Sequence, residues 1–156
     1  MKQASQARRT LGFLMRENSR LMRRRFVYHA RKAELPVNGS EASLLSAVFY
    51  EPGINQAGVA SMLDMETISV VRLVDGLEQT GLVERRPHPT DRRAWTLWLT
   101  KSGKTAVAQV RAITEVVRAE ALAGVSDADR ERLFDLLVGI RTNLYAAHEQ
   151  TKDVAA

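Results

Sequence analysis

The run NQAGVASMLDMETISVVRLVDGLEQTG, residues 55–81, decides the fold. Asn55 is a residue type that caps helices. Val59, Ala60, Met62 and Leu63 follow it as the inward face of a short helix. Asp64 tolerates left-handed backbone better than most residues, so the chain is expected to turn there. A second helix is expected from about Glu66 to Gln79, stopping at Gly81, the usual place for a C′ glycine. Two short helices joined by a tight turn form a helix-turn-helix.

The next stretch, LVERRPHPTDRRAWTLWLT (82–100), reads as a hairpin. Leu82 to Arg85 form one strand, the run Pro87 to Asp91 breaks it, and Trp95 to Leu99 alternate as the return strand. Trp95 and Trp98 are an odd number apart, so they take opposite faces, and at least one is expected to be half exposed or packed on another helix. Thr100 or Ser102 opens a helix to about Leu122, with Val107, Val110, Ile113, Val117 and Ala121 in one stripe. Ser126 and Asp129 are spaced as a capping box for a last helix striped with Leu133, Leu136, Leu137, Ile140 and Leu144.

Upstream, residues 7–34 read as a long helix. Leu11, Leu14, Met15, Leu21, Met22 and Phe26 recur at helical spacing, and Pro36 ends it. Ser40 is expected to cap the following helix, which carries Leu44, Leu45 and Val48, and Ile54 to add a very short strand. The fold class is therefore mostly α with a small β-hairpin wing: a winged helix-turn-helix between long N- and C-terminal helices.

Charge narrows the partner. The 156 residues carry a formal charge of +5, which modestly favours an anionic partner such as nucleic acid over a merely basic soluble enzyme. Residues 1–35 hold ten basic and two acidic side chains, and Arg85, Arg86, Arg92 and Arg93 cluster in the hairpin. There is no cysteine, so thiolate metal sites and Cys nucleophiles are excluded. His29, His88 and His148 match no metal motif, and no phosphate-binding, dinucleotide or nucleophile-elbow motif is present. No enzyme activity, metal or cofactor is expected. The apolar patch at Leu11–Met15 is far too short to span a membrane, and a cytoplasmic location is expected.

On the second helix of the helix-turn-helix, Val70, Leu73, Val74 and Leu77 should face the core. Ile68, Arg72 and Asp75 then face outward, with Thr67 and Ser69 near the N-terminal rim. Arginine can bond guanine bidentately, hydroxyls can bond bases or phosphates, and an apolar tip can touch a thymine methyl. The alternative is an ordinary solvated face. The stiff hairpin shifts the balance, because Arg92 and Arg93 at its tip suit a narrow minor groove. Asp91 reads as the residue that orients Arg93. The arginines at 23–25 could be a solvated face, repel a symmetry mate, reach DNA phosphate or bind a ligand carboxylate.

The runs Ser69–Glu78, Gly81–Arg85, Asp91–Ala94 and Leu97–Thr100 with Gly103 resemble the MarR family of bacterial regulators, most closely its SlyA-type members. The resemblance covers nearly the whole chain. It implies one domain over 1–156, with 1–35 and 101–156 as dimerisation helices and 36–100 as the winged DNA-binding part. It further implies a homodimer on double-stranded DNA, with recognition helices in successive major grooves and wings in the flanking minor grooves. Ser69 and Arg72 match the family's base-reading positions, and Arg93 its wing arginine. A phenolic or other aromatic ligand between the dimerisation and DNA-binding parts is also implied, and a regulator of repressor type. Ile68, Val71 and Gly76 depart from the family's usual residues, which bears on the bases read. The rival from another class is a winged-helix module that binds protein and has no salt-dependent affinity for DNA.

Overall fold

In a computed structural model describing residues 10–88, 90 and 94–154, the first helix, α1, covers Leu11–Lys32. It ends in a Schellman motif. Leu35 N donates to Ala30 O at 2.9 Å and Glu34 N to Arg31 O at 3.1 Å. The C′ residue of this motif is Glu34, at φ 50°, where glycine is usual. Helix α2 covers Gly39–Tyr50. Its cap is Asn38 rather than Ser40: Asn38 Oδ1 accepts from the Ser40 and Glu41 amides, and Glu41 Oε2 accepts from Asn38 N at 2.7 Å. A carboxamide two residues earlier meets a glutamate at N3, and that reciprocal pair outcompetes the serine.

Helix α3 covers Gln56–Leu63 under the Asn55 cap. Asp64 sits at φ 50°, ψ 52°, the left-handed turn expected of it. Helix α4 then runs over Thr67–Gln79 with Glu66 at its N-cap. It stops at Gly81, φ +70°, where Leu82 N reaches back to Leu77 O at 2.8 Å.

Strands β1 (Val83–Pro87) and β2 (Trp95–Leu99) pair antiparallel, from Val83 opposite Leu99 to Pro87 opposite Trp95. Pro87 thus lies inside the ladder, as the last residue of β1, where a missing N–H is tolerated on a two-stranded edge. Ile54 forms no strand, yet its carbonyl accepts from Leu97 N, and Gly53 N donates to Leu97 O. Trp95 is half exposed. Trp98, on the opposite face, lies under Arg86 at 4.8 Å and donates to Thr96 Oγ1. Thr96 is buried, and its hydroxyl donates to Arg86 O at 3.0 Å.

Helix α5 covers Lys101–Ala121 and α6 covers Asp127–Val154. Thr100 caps α5, accepting from Gly103 N at 3.0 Å and donating to Gly81 O at 2.6 Å. The chain forms two compact units, one through Arg118 and one from Ala119. The first holds the core: Leu44, Leu45 and Val48 of α2, Val59 of α3, Val70, Val74 and Leu77 of α4, Val83 and Leu97 of the hairpin, and Ala106, Val107 and Val110 of α5. In the second, Ser126 Oγ accepts from Asp129 N and donates to its carboxylate, and Arg130 donates to Leu122 O. Among the described side chains of α6 none is buried. Among the described residues no helix is long and apolar enough to cross a membrane, and no group of side chains could hold a metal ion.

Candidate nucleic-acid interface

The core fixes which face of α4 is free. Val70, Val74 and Leu77 are fully inward, with Leu73 packed beside them. The periodicity then turns Ile68, Arg72 and Asp75 outward. All three are exposed, as is Thr67, while Ser69 is half-buried at the rim. Ile68 is 56% exposed, unusual for a large β-branched side chain. Ile68 and Arg72 are four residues apart, and Ser69 and Arg72 three, so they are neighbours on one face. Arg72 has no ion-pair partner among the described residues. No side chain caps α4, so the Thr67 and Ile68 amides at its start have no intrahelical partner. The end of the helix offers donors and a positive dipole to an anion.

Asp75 differs from its neighbours. It accepts from Arg85 Nη2 at 2.5 Å, and Arg85 also pairs with Glu78. The Arg85 amide donates to Glu78 Oε1 at 3.2 Å. Turned so that its oxygen faces the guanidinium, the Gln56 amide accepts from Arg85 Nε at 3.1 Å. Burial works to lower the Arg85 pKa, but hydrogen bonds and charge from Asp75 and Glu78 outweigh it and raise the value. Arg85 is therefore a clamp joining α3, α4 and β1. The sequence alone placed it only in the basic cluster of the hairpin. The available signal was two acids three apart on α4, followed by a strand that must run back past them.

Arg86 is half exposed, paired with Glu84 and stacked on Trp98. The wing ladder extends one step to His88 N and Ala94 O, at 3.0 Å. Asp91, Arg92 and Arg93 lie outside the described residues. The hairpin's base is anchored at Gly103. A Cβ on that glycine would lie 1.9 Å from Leu82 O, so α5 can approach β1 only without a side chain there.

The sequence matches the MarR family over residues 35–94. It is 32% identical over 108 residues to a Thauera aromatica protein described as a transcriptional regulatory protein for the hcr operon. Residues 35–94 thus carry the pattern of the MarR family. The stretch aligned to the Thauera aromatica protein covers 69% of this chain and 63% of that relative, under two thirds of the relative's length. The crystal structure of transcriptional regulator PA3341 matches with a TM-score of 0.75 at 28% identity, covering 87% of this chain and 98% of that one. CouR from Rhodococcus jostii RHA1, bound to p-coumaroyl-CoA, matches at 0.72 and 25% identity, covering 85% and 92%. CouR bound to a 23-mer DNA duplex gives the same TM-score and coverage at 24% identity. The helix-turn-helix followed by a two-stranded wing is the MarR winged-helix fold.

Proposed function

We propose that the chain is a sequence-specific, double-stranded-DNA-binding transcriptional regulator that acts as a homodimer on a pseudo-palindromic operator. The observation that carries this reading is the outward face of α4. Thr67, Ile68, Ser69 and Arg72 stand together there beside an uncapped helix start, and among the described residues no carboxylate pairs with Arg72. In this reading α4 enters the major groove, and the wing enters the flanking minor groove with Arg92 and Arg93, Asp91 holding Arg93 in place. The half-sites lie about one helical turn apart. The regulator works in the cytoplasm without enzyme activity or cofactor.

The homodimer is supported by two apolar faces left uncovered. Leu11, Leu14, Met15, Leu21 and Met22 of α1 are exposed, and so are Leu133, Leu136, Leu137, Leu144 and Tyr145 of α6. Apolar faces of this extent mark interaction surfaces. Release by a small aromatic ligand is supported by CouR, whose structure holds p-coumaroyl-CoA.

A gel shift against the DNA upstream of the gene itself, at two salt concentrations, tests the reading. A specific complex that weakens steeply as salt rises is expected, because phosphate contacts release counterions. No complex, or one indifferent to salt, would favour the protein-binding module. Arg93→Ala is expected to weaken binding mostly at A/T-rich flanks.

A further inference from the structure

Helix α4 covers all of its large apolar side chains except one. Val70, Val74 and Leu77 are buried, and Leu73 packs against the core. Val71 is half-buried. Ile68 is 56% exposed and is not among the side chains packed on the core. Thr67 and Ser69 flank it in the chain, and Arg72 is its neighbour one turn on. Isoleucine is a weaker helix former than alanine, lysine or glutamate, and its apolar surface is unfavourable in water. Neither local propensity nor packing accounts for it at this position.

Its shape suits contact with a partner. Branching at Cβ holds χ1 of a helical isoleucine in essentially one rotamer, so the side chain is a stiff knob that loses little entropy when covered. It neither donates nor accepts a hydrogen bond. In the major groove, adenine N6, guanine O6 and cytosine N4 would each lose a water partner beneath it and gain none. The C5-methyl of thymine is the one apolar group that a base edge offers there. We propose that Ile68 sets operator specificity by packing on the C5-methyl group of a thymine. This inference rests on the DNA-binding reading above and names what one residue of that face recognises. Arg72 stands about 6 Å further along the helix axis. One base pair rises about 3.4 Å, so the thymine lies within about two base pairs of the base that Arg72 bonds. A C5-methylated cytosine carries the same apolar group in the same place.

Gel-shift titrations of the full chain test it, on the shortest upstream duplex that the parent shifts. Each thymine in turn, with its symmetry mate, is replaced by deoxyuridine, which removes the methyl and keeps the base pair. At one position in each half-site the parent is expected to lose about fourfold in affinity per methyl, or about fifteenfold for the pair, the scale of burying one such group. With cytosine at that position, methylation at C5 should strengthen binding by a similar factor. Ile68→Ala should bind the thymine and uracil duplexes equally there. Ile68→Val, still branched at Cβ, should keep most of the difference. The readout is a ratio of two affinities for one preparation, so it does not depend on how much of a variant is folded. A parent indifferent to uracil at every position overturns the inference and leaves the DNA-binding reading standing. An Ile68→Ala variant that keeps the parent's ratio also overturns it, because another group then reads the methyl. A chain that shifts no upstream duplex overturns both.

Discussion

Arg85 Nη2 lies 2.5 Å from Asp75 Oδ1, an ion pair that ties the first strand of the wing to the outward flank of α4. The Arg85 side chain is only 19% exposed, while its two acidic partners remain about half in solvent. The clamp therefore holds α4 and the first strand of the wing in one register and neutralises a carboxylate on the outward flank of α4.

Replacing Arg85 with Ala is expected to destabilise the protein by about 1–2 kcal/mol. It breaks several charge-assisted bonds, but solvent at the acids discounts their worth. Urea denaturation of Arg85→Ala, Asp75→Asn and the double variant measures the coupling. A coupling near zero would mean that the pair does not hold the wing.

Gly103→Ala is expected to cost about 3 kcal/mol or more, because the new methyl would meet the Leu82 carbonyl, which is backbone and cannot rotate away. Thermal or urea unfolding checks this. Near-parent stability would show that α5 and β1 can separate without cost.

Glu34→Gly is expected to stabilise by roughly 0.5–1 kcal/mol. Glu34 occupies the left-handed C′ position of α1, where glycine carries no Cβ penalty. The gain appears as a shift in the urea midpoint without a change in slope. A loss of stability would mean that the Glu34 side chain matters more than its backbone.

Much of this was legible in the sequence because local signals and periodicity agreed. Asn55, Asp64 and Gly81 each dictate one backbone conformation, so the helix-turn-helix and its limits could be read directly. Val70, Val74 and Leu77 then set the inward face of α4 and, by subtraction, the outward one. What could not be read came from groups brought together by tertiary structure. The Arg85 clamp joins residues ten and seven apart in sequence across two elements. The approach of Gly103 to Leu82 depends on how α5 docks. The Asn38 cap was missed because Ser40, an equally good cap type, stands two residues later and only the reach of Glu41 decides between them.

The exposed stripe on α6 leads to an expectation about assembly. A long helix whose described side chains are all unburied gains little from its own propensity. The protein is expected to sediment as a dimer at micromolar concentration, and Leu137→Asp to dissociate or unfold it. A stable folded monomer of the parent chain would exclude the homodimer.

The most direct test of the central claim, that the outward face of α4 reads base pairs, is the affinity of the parent and of Arg72→Ala for every single-base variant of the operator. Arg72→Ala is expected to lose roughly 1–3 kcal/mol on the best site and to become indifferent to sequence at one position in each half-site, keeping its preferences elsewhere. An Arg72→Ala profile that matches the parent at every position would contradict the claim.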